Sequence, residues 1–156
     1  MKTELLLRAL DQAYSRKSWH GTTLRGSLRG VKADLAGKRP APGRHSIAEL
    51  AVHAAYWKHS VFRRITGEPR GSFPLTGSNW FERPESLDHA AWKEDLALLS
   101  AMHKKLITAV SSLPDAHLER VPTEGTTTYL DLILGVAAHD LYHAGQIQLT
   151  KKMLGF

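Results

Sequence analysis

The chain has 156 residues, of which 42% are hydrophobic and 23% charged, with a formal net charge of +6 and no cysteine. A single domain over residues 1–156 is expected, large enough to bury its own core, and disulfides, thiolate zinc sites and a cysteine nucleophile are excluded. The basic excess is scattered in small groups (Arg25, Arg29 and Lys32; Arg63 and Arg64; Lys104 and Lys105; Lys151 and Lys152) without interleaved aromatics, so nucleic acid is not favoured as a partner.

Residues 2–18 place Leu5, Leu6, Ala9, Leu10 and Ala13 on one helical face. Glu4, Arg8 and Asp11 interrupt the leucines, which reads as an amphipathic helix of a cytoplasmic protein rather than a leader. No apolar run approaches the ~18–20 residues that span a bilayer. His20-Gly21 breaks the pattern, and a short extra helix is expected over residues 22–29. Residues 30–44, rich in Gly and Pro, read as a loop. Ser46-x-x-Glu49 is a capping box that opens a second long helix, with Ile47, Leu50, Ala51, Ala54, Trp57, Val61 and Ile65 as its stripe. Gly67 and Pro69 end it.

An irregular link follows over residues 67–87 and carries Trp80 and Phe81. The third long helix, about 88–112, has the cleanest seam: Trp92, Leu96, Leu99, His103, Leu106, Val110 and Leu113 at alternating steps of four and three, closed by Pro114. The last helix, about 128–153, starts at a Thr128/Asp131 cap pair and is apolar around most of its circumference, which predicts a central position. The fold class is therefore all-α, a four-helix bundle with the short extra helix after the first. The link, at about 3.3 Å per residue, spans roughly 70 Å extended. That exceeds the ~30 Å length of a helix, so a long crossover between the second and third long helices is possible.

His139 and His143 lie four apart on one helix face, with Cβ atoms about 5–6 Å apart, so their imidazoles can converge on one metal. Spacing alone is weak in a chain with nine histidines. Their setting among Leu, Ile, Val and Ala strengthens it, because two unpartnered imidazoles there would be costly. The segment HDLYH invites a zincin reading, but Asp140 stands where that motif has its glutamate and no Gly/His extension follows. For a third ligand, His53 on the flank of the second long helix and His103 on the seam of the third rank close together. The remaining histidines lie in loops or near helix ends.

Three segments, PGRHSIAELAVHAAYWKHSV, GSNWFERP and GVAAHDLYHAGQIQLTKKM, together resemble the DinB-like family of the DinB/YfiT superfamily, metal-binding four-helix bundles. The resemblance runs from about residue 18 to the end and is most specific where His-x-x-x-His is followed by Ala-Gly-Gln-Ile. It implies one histidine from the second long helix and two from the last, here His53, His139 and His143, and so selects His53 over His103. It also implies the long crossover and a homodimer. One departure is His45, where many relatives have tryptophan.

Three neutral imidazoles would leave one divalent transition metal, zinc or nickel foremost, with an open position suited to catalysis or ligand capture. Such a metal can acidify a water or take up a substrate thiolate. The resemblance points to a metal-dependent enzyme on a small molecule, either a thiol-dependent S-transferase or a hydrolase. The alternative is a non-catalytic metal-binding or stress- and DNA-damage-associated interaction protein. Glu49 is a candidate to orient His53, although the capping box also claims it. Gln146 and Tyr142 are candidates to touch a ligand, and Trp57, Trp80 and Phe81 to wall a pocket.

Overall fold

The computed structural model describes residues 2–156. Four long helices, α1 (Lys2–Tyr14), α4 (Ile47–Thr66), α5 (His89–Ser111) and α6 (Tyr129–Met153), form the bundle. Two one-turn helices, α2 (Leu24–Ser27) and α3 (Ala33–Ala36), and a 3-10 turn (Asp115–His117) fill the connections. There is no strand among the described residues, only an isolated bridge between Ser78 and Trp80. No helix among the described residues is long and apolar enough to cross a membrane.

Local chemistry sets the helix ends. The Ser46 hydroxyl accepts from the Glu49 N–H at 3.2 Å and the Glu49 carboxylate accepts from the Ser46 N–H at 3.0 Å, a closed capping box. Gly67 ends α4 at φ 77°, a left-handed conformation that a residue with a Cβ adopts only at a cost. Asp88 and Thr128 cap α5 and α6 through their side chains. The helix expected over residues 2–18 stops at Tyr14; just beyond it the Ser15 and Arg16 N–H groups both donate to the Asp11 carbonyl, at 2.9 and 2.8 Å, and the His20 ring lies 3.1 Å from the Gln12 carbonyl. The stretch 30–44, expected to be wholly loop, contains α3.

Around the bundle, α4 packs on α5 and α6, and α1 packs on α5 and α6. The first half of α4 shares one core layer with Trp92, Leu99 and Met102, and its second half shares another with Leu106, Ala109 and Val110. Helices α4 and α5 therefore run the same way. The link between them is a true crossover that returns the chain along the bundle, as its length permits. Arg83 fastens it to α5 through two bonds to Asp95 (Nε to Oδ2, 2.9 Å), and its N–H reaches Glu49.

Contrary to the expectation from composition, the most enclosed helix is α4, not α6. Helix α6 keeps Leu134, Tyr142, Leu149 and Met153 exposed along one side. Its apolar circumference serves a core face and an uncovered face at once. Between the two core layers lies a polar one. Lys58 and Asp140, both fully buried, form an ion pair, the Lys58 ammonium lies over the Tyr14 ring, and Tyr14 stacks on His103 at 3.8 Å. Burial pushes Asp140 up and Lys58 down, each toward its neutral form, and their mutual attraction opposes this.

Candidate metal centre

The site lies in the groove between α4 and α6. His53 projects from α4 two turns beyond the capping box, and His139 and His143 project from one face of α6. Their Nε2 atoms meet: 3.2 Å from His53 to His139 and 2.9 Å from His143 to His139, with all three ligand atoms within 4.8 Å of one another.

The outer nitrogens decide what those inner ones carry. His53 donates its Nδ1–H to the Asn79 carbonyl at 2.7 Å, and His143 donates its Nδ1–H to the Gln146 side-chain oxygen at 2.6 Å. In the neutral ring that leaves a lone pair, not a proton, on each Nε2. The third ring, His139, has a buried Nδ1 with no partner. Two or three lone pairs thus face one point. Burial holds all three rings low, His139 to about 3 and His143 to about 4, so each is neutral at pH 7. For His139 the neighbouring imidazoles and Lys58 add to the effect.

This donor set fits a metal ion. Two nitrogens each ~2.0–2.1 Å from one ion, at angles of roughly 90–110°, lie about 2.9–3.4 Å apart, which brackets both observed separations. Without a cation, a His139 Nε2–H can satisfy only one of the two lone pairs that face it, and the other is left buried without a partner.

The crossover supplies the outer support. Asn79 is the one non-glycine residue at positive φ among those described (65°), and its side-chain oxygen accepts the Trp57 indole N–H at 2.9 Å. One residue thereby orients a histidine with its backbone and a tryptophan with its side chain. The next residue, Trp80, is sandwiched between His53 (3.7 Å, 5° between planes) and His45 (3.6 Å, 4°). The cavity in front of the histidines has a volume of about 550 Å³, and its walls include Trp57, Val61, Gly135 and Val136. Tyr142 borders it, its ring 5.1 Å from that of His143.

Not every candidate has a place in it. The Glu49 carboxylate is occupied by Ser46, Arg39 and the Arg83 N–H, with His45 at 3.4 Å, and Asn79 takes the proton that Glu49 was a candidate to accept from His53. Phe81 packs in the core behind the crossover, against Tyr56 and Phe73, rather than on the cavity wall. His103 lies in the polar layer, its Nε2 3.6 Å from Asp11, and does not join the three. Asn79 went unnoticed in the sequence. A hint lay in its position between Gly77-Ser78 and Trp80, since asparagine tolerates the left-handed region better than other residues with a Cβ.

A family model described as the DinB superfamily matches residues 17–147. The chain belongs to the DinB superfamily. The match covers α2 to α6 up to Ile147 and includes all three histidines, Asn79 and Gln146 of this DinB chain. No curated protein and no solved structure matches it.

Proposed function

We propose that this DinB chain is a metal-dependent enzyme acting on a small molecule, as a thiol-dependent S-transferase or a hydrolase. In this reading His53, His139 and His143 hold a zinc or nickel ion. The observation that carries it is the convergence of three neutral imidazole nitrogens at the wall of an open cavity, two of them fixed with their lone pairs inward. A metal bound there supplies Lewis acidity, favouring the deprotonated form of a thiol or a water.

The remaining tasks fall to the chain's own residues. Asn79 and Gln146 hold two rings in the ligating tautomer. Trp80 covers one face of His53 and keeps solvent from it. Trp57, Val61 and Val136 give the cavity an apolar wall against which a substrate's carbon frame can lie. A homodimer is part of the proposal, supported by the exposed apolar row Leu134, Tyr142, Leu149 and Met153 along α6. So is a cytoplasmic location, where small thiols are kept reduced.

The test is metal content by elemental analysis of wild type and of His53→Ala, His139→Ala and His143→Ala. Turnover of thiol–electrophile pairs and of esters and amides follows, with His53→Ala as control. About one metal per chain, lost in each variant, together with turnover abolished in the control, supports the proposal. A wild type that neither contains metal nor takes up zinc or nickel sinks it. Tight metal binding with no turnover would leave the metal-binding module without catalysis.

A further inference from the structure

Arg64 occupies the end of the cavity away from the histidines. It lies on α4 eleven residues after His53, about three helical turns on, which returns it to the same helix face. Its Cα–Cβ bond tilts toward the helix N-terminus, and the residue also borders two smaller surface pockets beside and beyond the end of α4. The guanidinium makes no hydrogen bond or ion pair among the described residues, and its Nε is buried without a partner. Its neighbours differ. Arg63 donates to Glu124 at 2.9 Å and Arg70 to the same carboxylate at 3.1 Å. Asp131 borders the same end of the cavity, but its Oδ2 accepts the Thr128 hydroxyl at 2.8 Å and it forms no ion pair with Arg64.

The cavity is thus asymmetric along its length. Nitrogen donors for a metal stand at one end, an apolar wall runs along Trp57, Val61 and Val136, and an uncommitted cation stands at the other end. We infer that its ligand is an elongated molecule bearing a carboxylate, which pairs with Arg64 while the opposite end reaches the three histidines. A planar guanidinium fork matches a carboxylate in two parallel bonds. A single cation beside Asp131 suits a monoanion better than a phosphate dianion. The Arg64 end of this inference stands on its own geometry, and the far end rests on the metal reading above.

Two titrations keep these apart. In metal-free protein, the arginine Nε–H resonances are followed by NMR during addition of octanoate and, separately, octanol. Octanoate is expected to shift the Arg64 resonance and to bind about tenfold more tightly than octanol, a preference that Arg64→Gln abolishes. In cobalt-loaded protein, 6-mercaptohexanoate and 6-mercaptohexanol are compared through sulfur-to-cobalt absorption. The carboxylate is expected to gain a similar factor in wild type and none in Arg64→Gln, with mercaptohexanol affinity unchanged.

Equal binding of acid and alcohol in metal-free wild type, or a preference that persists in Arg64→Gln, overturns the inference. Failure to load cobalt while the octanoate preference holds removes the metal reading and leaves the carboxylate site standing. Arg64→Lys, which keeps the charge but not the fork, should retain part of the preference.

Discussion

The Asn79 carbonyl accepts the Nδ1–H of His53 at 2.7 Å from a backbone held at φ 65°. An orientation on α4 therefore depends on a left-handed turn in the crossover. Asn79→Ala puts a Cβ without asparagine's tolerance at that turn and should cost about 1–2 kcal/mol of stability, together with roughly tenfold or more in metal affinity. Asn79→Gly loses the same bond to Trp57 but keeps the turn. It should retain metal affinity near wild type when both variants are titrated with zinc against a competing chelator. Equal losses in the two would place the effect in the side chain instead.

Gln146 holds the outer nitrogen of His143. Gln146→Leu is of similar size and accepts no proton, so the ring is free to turn over its tautomers. Metal affinity should fall about 10–100-fold with little change in the denaturation midpoint of the metal-free protein. Isothermal titration of zinc or nickel checks this.

A ligand that binds only the folded chain stabilises it. At a hundredfold excess of free metal over its dissociation constant the gain is ~2.7 kcal/mol, which calorimetry reads as a rise in Tm. Zinc or nickel should raise the Tm of wild type, a chelator should reverse the rise, and His139→Ala should show none. A rise of equal size in His139→Ala would mean that the ion binds elsewhere.

Acid should weaken the metal-free fold in a window set by buried histidines. Burial, with Lys58 adding to it, holds His103 in the folded chain at about 3, against 6.5 for an exposed imidazole. Between those values the unfolded chain takes up a proton that the folded chain refuses. The contribution of His103 is complete above about pH 6.5 and is lost as pH falls toward 3, with a slope of at most ~1.4 kcal/mol per pH unit. His139 and His143, at about 3 and about 4, act in the same direction. Urea midpoints measured from pH 7 to pH 4 should fall less steeply in His103→Phe than in wild type.

The Lys58–Asp140 pair has no access to solvent. Asp140→Ala leaves an ammonium group buried without its counter-charge and should destabilise the fold by about 3–5 kcal/mol. The double change Lys58→Met with Asp140→Leu should recover most of that loss, or all of it. Urea denaturation of the three variants decides, and a double variant as weak as the single one would mean that the pair does more than neutralise itself.

Much of this was legible in local sequence. The capping box at Ser46 and Glu49, the seam from Trp92 to Val110 and the pairing of His139 with His143 all rest on interactions within one or two helical turns. Periodicity could not separate His53 from His103, since both sit at buried helix positions. What distinguishes them is tertiary: one faces the α4–α6 groove beneath Trp80, the other stacks on Tyr14 inside the bundle. The Asn79 contact was illegible for the same reason, because its partner lies 26 residues away. The apolar circumference of α6 predicts a helix enclosed on all sides, whereas one side of it remains bare, because composition does not say which neighbours cover a face.

The distance along the chain between the parts of the centre has a kinetic meaning. His53 and His139 are separated by 86 residues, and the Lys58–Asp140 pair beside them by 82. Helices of this length can begin to form on their own, but the three imidazoles do not exist as a group until a loop of 86 residues has closed. Metal capture would then follow the docking of α6 against α4 rather than seed the fold. A stopped-flow record of refolding should show helical signal well before any uptake of the ion, with a lag set by the docking of α6 against α4.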